Sequence, residues 1–148
     1  MSYTSHFYHI VFSTKDRRPF LDEACLPRII DYLGGIIRNL KGQMLAGNGV
    51  PDHIHLAVIV HPTIAVSEFI NKLKSNSSGW IHETFAELKA FGWQDGYSSF
   101  TVSRSILPKV IEYIRGQQAH HKTKTFEEEL LALLKKHGIA YDERYVSA

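Results

Sequence analysis

The chain holds one cysteine, Cys25, among 148 residues, which excludes an internal disulfide framework and a cysteine-rich zinc site. Its thiol reads as a small buried apolar group in a reducing compartment. No apolar run approaches bilayer-spanning length, and Met1-Ser2-Tyr3-Thr4-Ser5-His6 lacks a charged region followed by an apolar stretch. Neither a membrane partner nor a signal peptide is expected, and the chain is expected to be cytoplasmic. A glycine-rich phosphate loop with its lysine is missing, so no nucleotide cofactor is expected. Repeats and low-complexity segments are missing too. Neither sign of charge dominates: 17 Lys and Arg against 15 Asp and Glu leave +2, which permits nucleic-acid binding without demanding it.

What is present is a globular composition, 44% apolar and 11% aromatic, at a length that fits a single domain over 1–148. Phe7 to Thr14 is a strand with apolar residues on both faces, hence central in a sheet. Leu26, Ile29, Ile30, Leu33, Ile36 and Ile37 recur at helical spacing, which predicts an amphipathic helix from Asp22 to Lys41. A short strand from Gln43 to Ala46, a glycine turn over Gly47–Pro51 and a strand from His53 form an antiparallel hairpin. Ile64 to Phe85 is a second helix, weakened at Ser75–Gly79, and Ser98 to Val102 a fourth strand. This order closes into an α+β, ferredoxin-like fold: a four-stranded antiparallel sheet with both helices on one face and the other face left for a partner. A third helix follows from Leu107 to Gln118. A last one runs from Phe126 to His137, where Thr125 and Glu128 match a capping box and Gly138 a stop.

Residues that can carry chemistry fall in two places. In Pro51-Asp52-His53-Ile54-His55, strand alternation puts His53 and His55 on one side roughly 7 Å apart, near enough to share one ion. Taken alone the pair also fits polar edge decoration. On the third helix Tyr113 lies about 110° from the centre of the apolar stripe, and Gln117, four residues on, shares its face. A surface tyrosine beside a solvated amide fits these two residues equally well in isolation. His9 reads as a core histidine that can also support the site, and His120 and His121 as phosphate-facing or exposed, not as ligands. Basic clusters at Lys15, Arg17 and Arg18, at Lys72 and Lys74, and at Lys122 and Lys124 are suited to a phosphate backbone or simply to solvent. Trp93 and Tyr97 fit core or loop packing, or stacking on unpaired bases.

Together His53-Ile54-His55 and Tyr113-Ile114-Arg115-Gly116-Gln117 resemble the single-tyrosine HUH transposases of the insertion sequence 200/605 type, a group that includes the REP-associated tyrosine transposases. Tyr8-His9-Ile10-Val11-Phe12-Ser13-Thr14-Lys15, Arg17-Arg18 and the Gly92-Trp93-Gln94 connection add to the likeness, which covers about Tyr3 to Gln118. The resemblance implies a transposase core over 1–118, with 119–148 a C-terminal extension to which nothing carries over. It implies a homodimer paired sheet to sheet, acting on single-stranded DNA that bears hairpins. His53, His55 and Gln117 would hold a divalent metal, and Tyr113 would be the catalytic nucleophile that cuts and rejoins DNA through a 5′-phosphotyrosine. Two imidazoles and an amide oxygen suit several ions; Mg²⁺ or Mn²⁺ is expected. A non-catalytic nucleic-acid-binding protein on the same fold remains the alternative. A two-histidine phosphoesterase is less favoured, because no second His-x-Ser/Thr motif is found on a partner strand.

Overall fold

Strand alternation sorts the residues of the two central strands into an apolar face and a histidine face. The computed structural model describes residues 1–146. β1 (Phe7–Ser13), β2 (Gln43–Val50), β3 (His53–Ile59) and β4 (Ser98–Val102) form one antiparallel sheet in the order β2-β3-β1-β4. From the central strands Ile10, Phe12, Ile54, Leu56 and Val58 point to one side and are fully buried. They pack with α1 (Leu26–Asn39) and α2 (Val66–Thr84) through Ile29, Leu33, Phe69 and Leu73. Burying each such side chain is worth about 1.5–3 kcal/mol, so this layer dominates the stability. The ferredoxin-like arrangement is therefore as expected.

The opposite face carries His9, Val11, His53, His55 and Ala57, in register across β1 and β3. The expectation that this face is open is corrected. α3 (Leu107–Arg115), α4 (Gln117–His120) and α5 (Phe126–Lys136) lie over it. Ile114 packs with Ala46 and Ala57, while Phe126 and Leu130 of the C-terminal segment pack with Val11 and Phe100.

Three local expectations also change. The glycine turn is strand: β2 runs to Val50 and the turn is Pro51-Asp52. Glycine is needed at position 49 because a Cβ there would sit 2.6 Å from the His53 backbone oxygen. The polar run Ser75–Gly79 does not weaken α2, because Ser77 Oγ donates to the Leu73 carbonyl at 2.6 Å and accepts from Trp93 Nε1 at 2.9 Å. Trp93 is accordingly core, edge-on to Phe12. The third helix does not reach Gln118 but breaks at Gly116, whose N–H is shared between the Glu112 and Tyr113 carbonyls at 3.2 Å each. The last helix starts and stops as read: Thr125 Oγ1 accepts from the Glu128 N–H, and Gly138 adopts φ +64°. No helix is long and apolar enough to cross a membrane among the described residues.

Candidate active site

β3 fixes the histidines. His53 and His55 are fully buried, with ring centroids 5.2 Å apart, so the edge-decoration reading does not survive. Each ring is held from behind. His53 Nδ1 lies 2.7 Å from Asp52 Oδ1, and His55 Nδ1 lies 2.8 Å from Nε2 of buried His9 on the neighbouring strand. His9 therefore supports the site directly. Burial, reinforced by His55, pushes the His9 pKa down to about 3, so His9 is a neutral ring that can exchange a hydrogen bond with His55.

One side chain of β2 clamps the end of the tyrosine helix. Asn48 Nδ2 donates to the carbonyls of Ile114 at 3.0 Å and Arg115 at 3.1 Å, and to Gln118 Oε1 at 3.0 Å. These carbonyls belong to the end of α3, which has no intrahelical partners to offer them. Tyr113 is thereby laid over the histidine face, its ring centroid 5.8 Å from that of His55 and stacked on His120 at 4.7 Å. Gln117, one turn on, is fully buried.

The structure brings Tyr113, Gln117, His53 and His55 together through a residue the sequence reading did not single out. Glu129, on α5, is 3% exposed. Its Oε1 lies 3.1 Å from His53 Nε2, 2.8 Å from His55 Nε2 and 3.0 Å from His121 Nε2. Its Oε2 accepts from the Tyr113 hydroxyl and, at 3.1 Å, from Gln117 Nε2. His121, expected to be exposed or phosphate-facing, joins this cluster at the end of α4, with its ring centroid 4.5 Å from that of His53. A signal for Glu129 existed: it shares the apolar stripe of α5 with Phe126, Leu130 and Leu133, an unusual place for a carboxylate. It was hidden in Glu127-Glu128-Glu129, where acidic residues also suit the first turn of a helix.

The electrostatics follow from these contacts. Burial alone would raise the Glu129 carboxyl, but hydrogen bonds from His53 and His55, the field of His55 and the Tyr113 hydroxyl together hold it below the carboxylate range. Burial disfavours charge on His53, but Asp52 on one nitrogen and Glu129 on the other outweigh it and raise its pKa. His55, buried deepest and flanked by other histidines, is lowered. Tyr113 is raised, first by burial and then by the adjacent carboxylate, so its hydroxyl is a proton donor here.

The donor set fits a divalent cation. One ligand atom from each of His53, His55, His121 and Glu129 lies within 4.8 Å of the others. Beside them, the buried Gln117 Oε1 has no hydrogen-bond partner among the described residues, an oxygen free to ligate.

Two clefts flank the segment that joins α4 to α5. One, of about 550 Å³, runs past His9, Tyr113 and Glu129 and is edged by Lys109, Lys124 and Lys136. The other, of about 630 Å³, is edged by Arg17, His121, Lys122 and Lys124. The remaining basic cluster has structural partners: Lys74 Nζ donates to the Gly96 carbonyl at 2.6 Å and Lys72 faces Glu68.

The model of the family described as "Transposase IS200 like" matches residues 2–117. Similar proteins include the transposase for insertion sequence element IS200 of Salmonella typhimurium, 32% identical over 124 residues and covering 78% of both chains. The ISDra2 transposase TnpA of Deinococcus radiodurans is 27% identical over 119 residues, covering 74% of this chain and 82% of that one. In fold, the chain is similar to a REP-associated tyrosine transposase solved bound to a REP hairpin, with a TM-score of 0.61 at 16% identity over 82% of this chain and 74% of that one. The family match, a His-x-His pair on one strand and a tyrosine laid over it agree, and the chain belongs to the IS200-like transposase family, whose members are DNA transposases.

Proposed function

We propose that this transposase cleaves and rejoins single-stranded DNA, with Tyr113 as nucleophile and His53, His55 and Gln117 holding a divalent metal, Mg²⁺ or Mn²⁺. The observation that carries the reading is the convergence on one point of the Tyr113 hydroxyl, both histidines and Gln117, each touching the same carboxylate. When bound, the ion would polarise the scissile phosphate and align it for in-line displacement.

The chain's own residues account for the rest. Attack by the Tyr113 oxygen forms a tyrosyl–phosphorus bond and breaks the bond from phosphorus to the 3′ oxygen, giving a 5′-phosphotyrosine and a free 3′-hydroxyl. One phosphodiester replaces another, so the reverse step can join a second strand with no nucleotide consumed. A phenol of ordinary pKa is about one part in a thousand ionised at pH 7, equivalent to roughly 4 kcal/mol of barrier. Glu129 Oε2, the acceptor of the Tyr113 hydrogen bond, is placed to take that proton as attack proceeds, and the departing 3′ oxygen ends as its recipient. Lys109, Lys124 and Lys136 would neutralise the strand's backbone in the cleft beside Tyr113. The REP hairpin bound by the fold relative favours hairpin-bearing DNA as substrate.

Tyr113 reaches the histidines of its own chain, so the site works in cis on this reading. The homodimer belongs to the same proposal. Since the chain's own helices cover both sheet faces, a second copy would pair along the edge strands β2 or β4, not face to face.

The test is a denaturing gel of hairpin-bearing oligonucleotides incubated with protein and Mn²⁺. Wild type yields a covalent protein–DNA band and Tyr113→Phe none, although the variant binds the same DNA. An equal band from both proteins rejects the assignment.

A further inference from the structure

We infer that His121 and Glu129 are metal ligands, which makes the C-terminal segment part of the active site and gives the chain a three-histidine, one-carboxylate centre selective for a transition metal over Mg²⁺. The inference deepens the proposed function and rests on its metal site.

Three Nε2 atoms aim at one point. His53, His55 and His121 come from a strand and from the end of a helix far along the chain, yet all three present Nε2 to one oxygen, Glu129 Oε1, at 3.1, 2.8 and 3.0 Å. Metal-binding rings are commonly held by a hydrogen bond on their other nitrogen. His53 has Asp52 there and His55 has His9, so both rings are fixed with Nε2 free to ligate.

Glu129 is on the buried stripe of α5 and has no apolar reason to be there. Its second oxygen is held by Tyr113 and Gln117, which leaves Oε1 for the ion. The segment that carries it is built to arrive: Thr125 caps α5, and Phe126 and Leu130, on either side of Glu129, anchor the helix in the small cluster with Val11 and Phe100. The family model stops at residue 117, so both added ligands lie beyond the shared transposase core.

The chemistry of the set points to the ion. Mg²⁺ prefers oxygen donors in octahedral array and keeps most of its water, whereas imidazole suits manganese, cobalt and zinc increasingly along that series. Three imidazoles with one carboxylate therefore discriminate against Mg²⁺ more than two imidazoles with an amide would. Glu129 would also tie the ion to the nucleophile, one oxygen on each.

The experiment is metal affinity, read by competition with a chromophoric chelator, for metal-free wild type, His121→Ala, Glu129→Gln and Tyr113→Phe. Wild type binds Mn²⁺ and Co²⁺ more tightly than Mg²⁺, His121→Ala and Glu129→Gln each lose at least about tenfold for Co²⁺, and Tyr113→Phe loses little. Co²⁺ affinity of wild-type strength in both His121→Ala and Glu129→Gln, or equal wild-type affinity for Mg²⁺ and Mn²⁺, overturns the inference. Circular dichroism checks folding, and His121→Asn replaces His121→Ala if the latter does not fold. Failure of the nucleophile assignment reads differently: wild type forms no covalent adduct while the ligand variants still lose metal.

Discussion

Asn48→Ala removes the clamp that docks the tyrosine helix on β2, and its cost can be worked from the contacts. Asn48 Nδ2 donates to two carbonyls at the end of α3 and to Gln118 Oε1, and Gln118 Nε2 returns a bond to Asn48 Oδ1 at 2.7 Å. The Arg115 carbonyl and the Gln118 amide are exposed and can turn to water, so their loss costs little. The Ile114 carbonyl is partly buried, and leaving it without a donor costs about 1–2 kcal/mol, for a total of ~2 kcal/mol. For a domain of this size a destabilisation of 1 kcal/mol lowers Tm by about 2–4 °C, so the variant should melt about 6 °C lower. Because Tyr113 rides on the same helix, covalent adduct formation should fall at 25 °C, where the variant is still folded. The assay is a thermal melt by circular dichroism alongside the oligonucleotide gel. A variant that melts within about 1 °C of wild type and forms adduct at the wild-type rate refutes the docking role.

Asp52→Asn keeps a hydrogen-bond acceptor on His53 but removes the charge that favours Nδ1–H; metal affinity should drop at least about tenfold, read by chelator competition. His53 is raised above its ordinary value near 6.5 in the metal-free protein, so binding must displace a proton from Nε2. Apparent metal affinity should therefore climb with pH through and above that value, with proton release visible in calorimetry run in buffers of different ionisation enthalpy. The same raised pKa means that the His53 contribution to metal-free stability is complete below about 6.5 and fades as pH rises through the folded value. Ser77→Ala leaves the buried Trp93 N–H without its acceptor and should cost about 1–3 kcal/mol in urea unfolding with an unchanged slope.

The frame was legible because its signals are periodic. Strand alternation separated Ile54 and Leu56 from His53 and His55 correctly, and the helical stripe of α1 named the residues that are now its buried face. Turns were less legible. Gly47-Asn48-Gly49 has turn composition, yet the glycines serve close strand packing, a demand visible only once β3 lies alongside. Ser77 looked like a helix breaker because its partners, Leu73 and Trp93, are not adjacent in sequence.

The site divided in the same way. His53, His55, Tyr113 and Gln117 sit in recognisable short motifs, and they do meet. His121 and Glu129 have no motif; what places them is a tertiary contact between α5 and the sheet. Their residue types carried only the generic readings of a basic cluster and an acidic first turn. His9 lay between: a buried histidine on a central strand, legible as core, whose bond to His55 depends on the β1–β3 register.

Proteolysis of a trapped protein–DNA adduct, followed by mass spectrometry of the DNA-linked peptide, tests the central claim most directly. The expected product is a 5′-phosphorylated nucleotide on Tyr113, in the peptide that ends at Arg115. Attachment through another residue, or cleavage that leaves no protein-linked end, would contradict it.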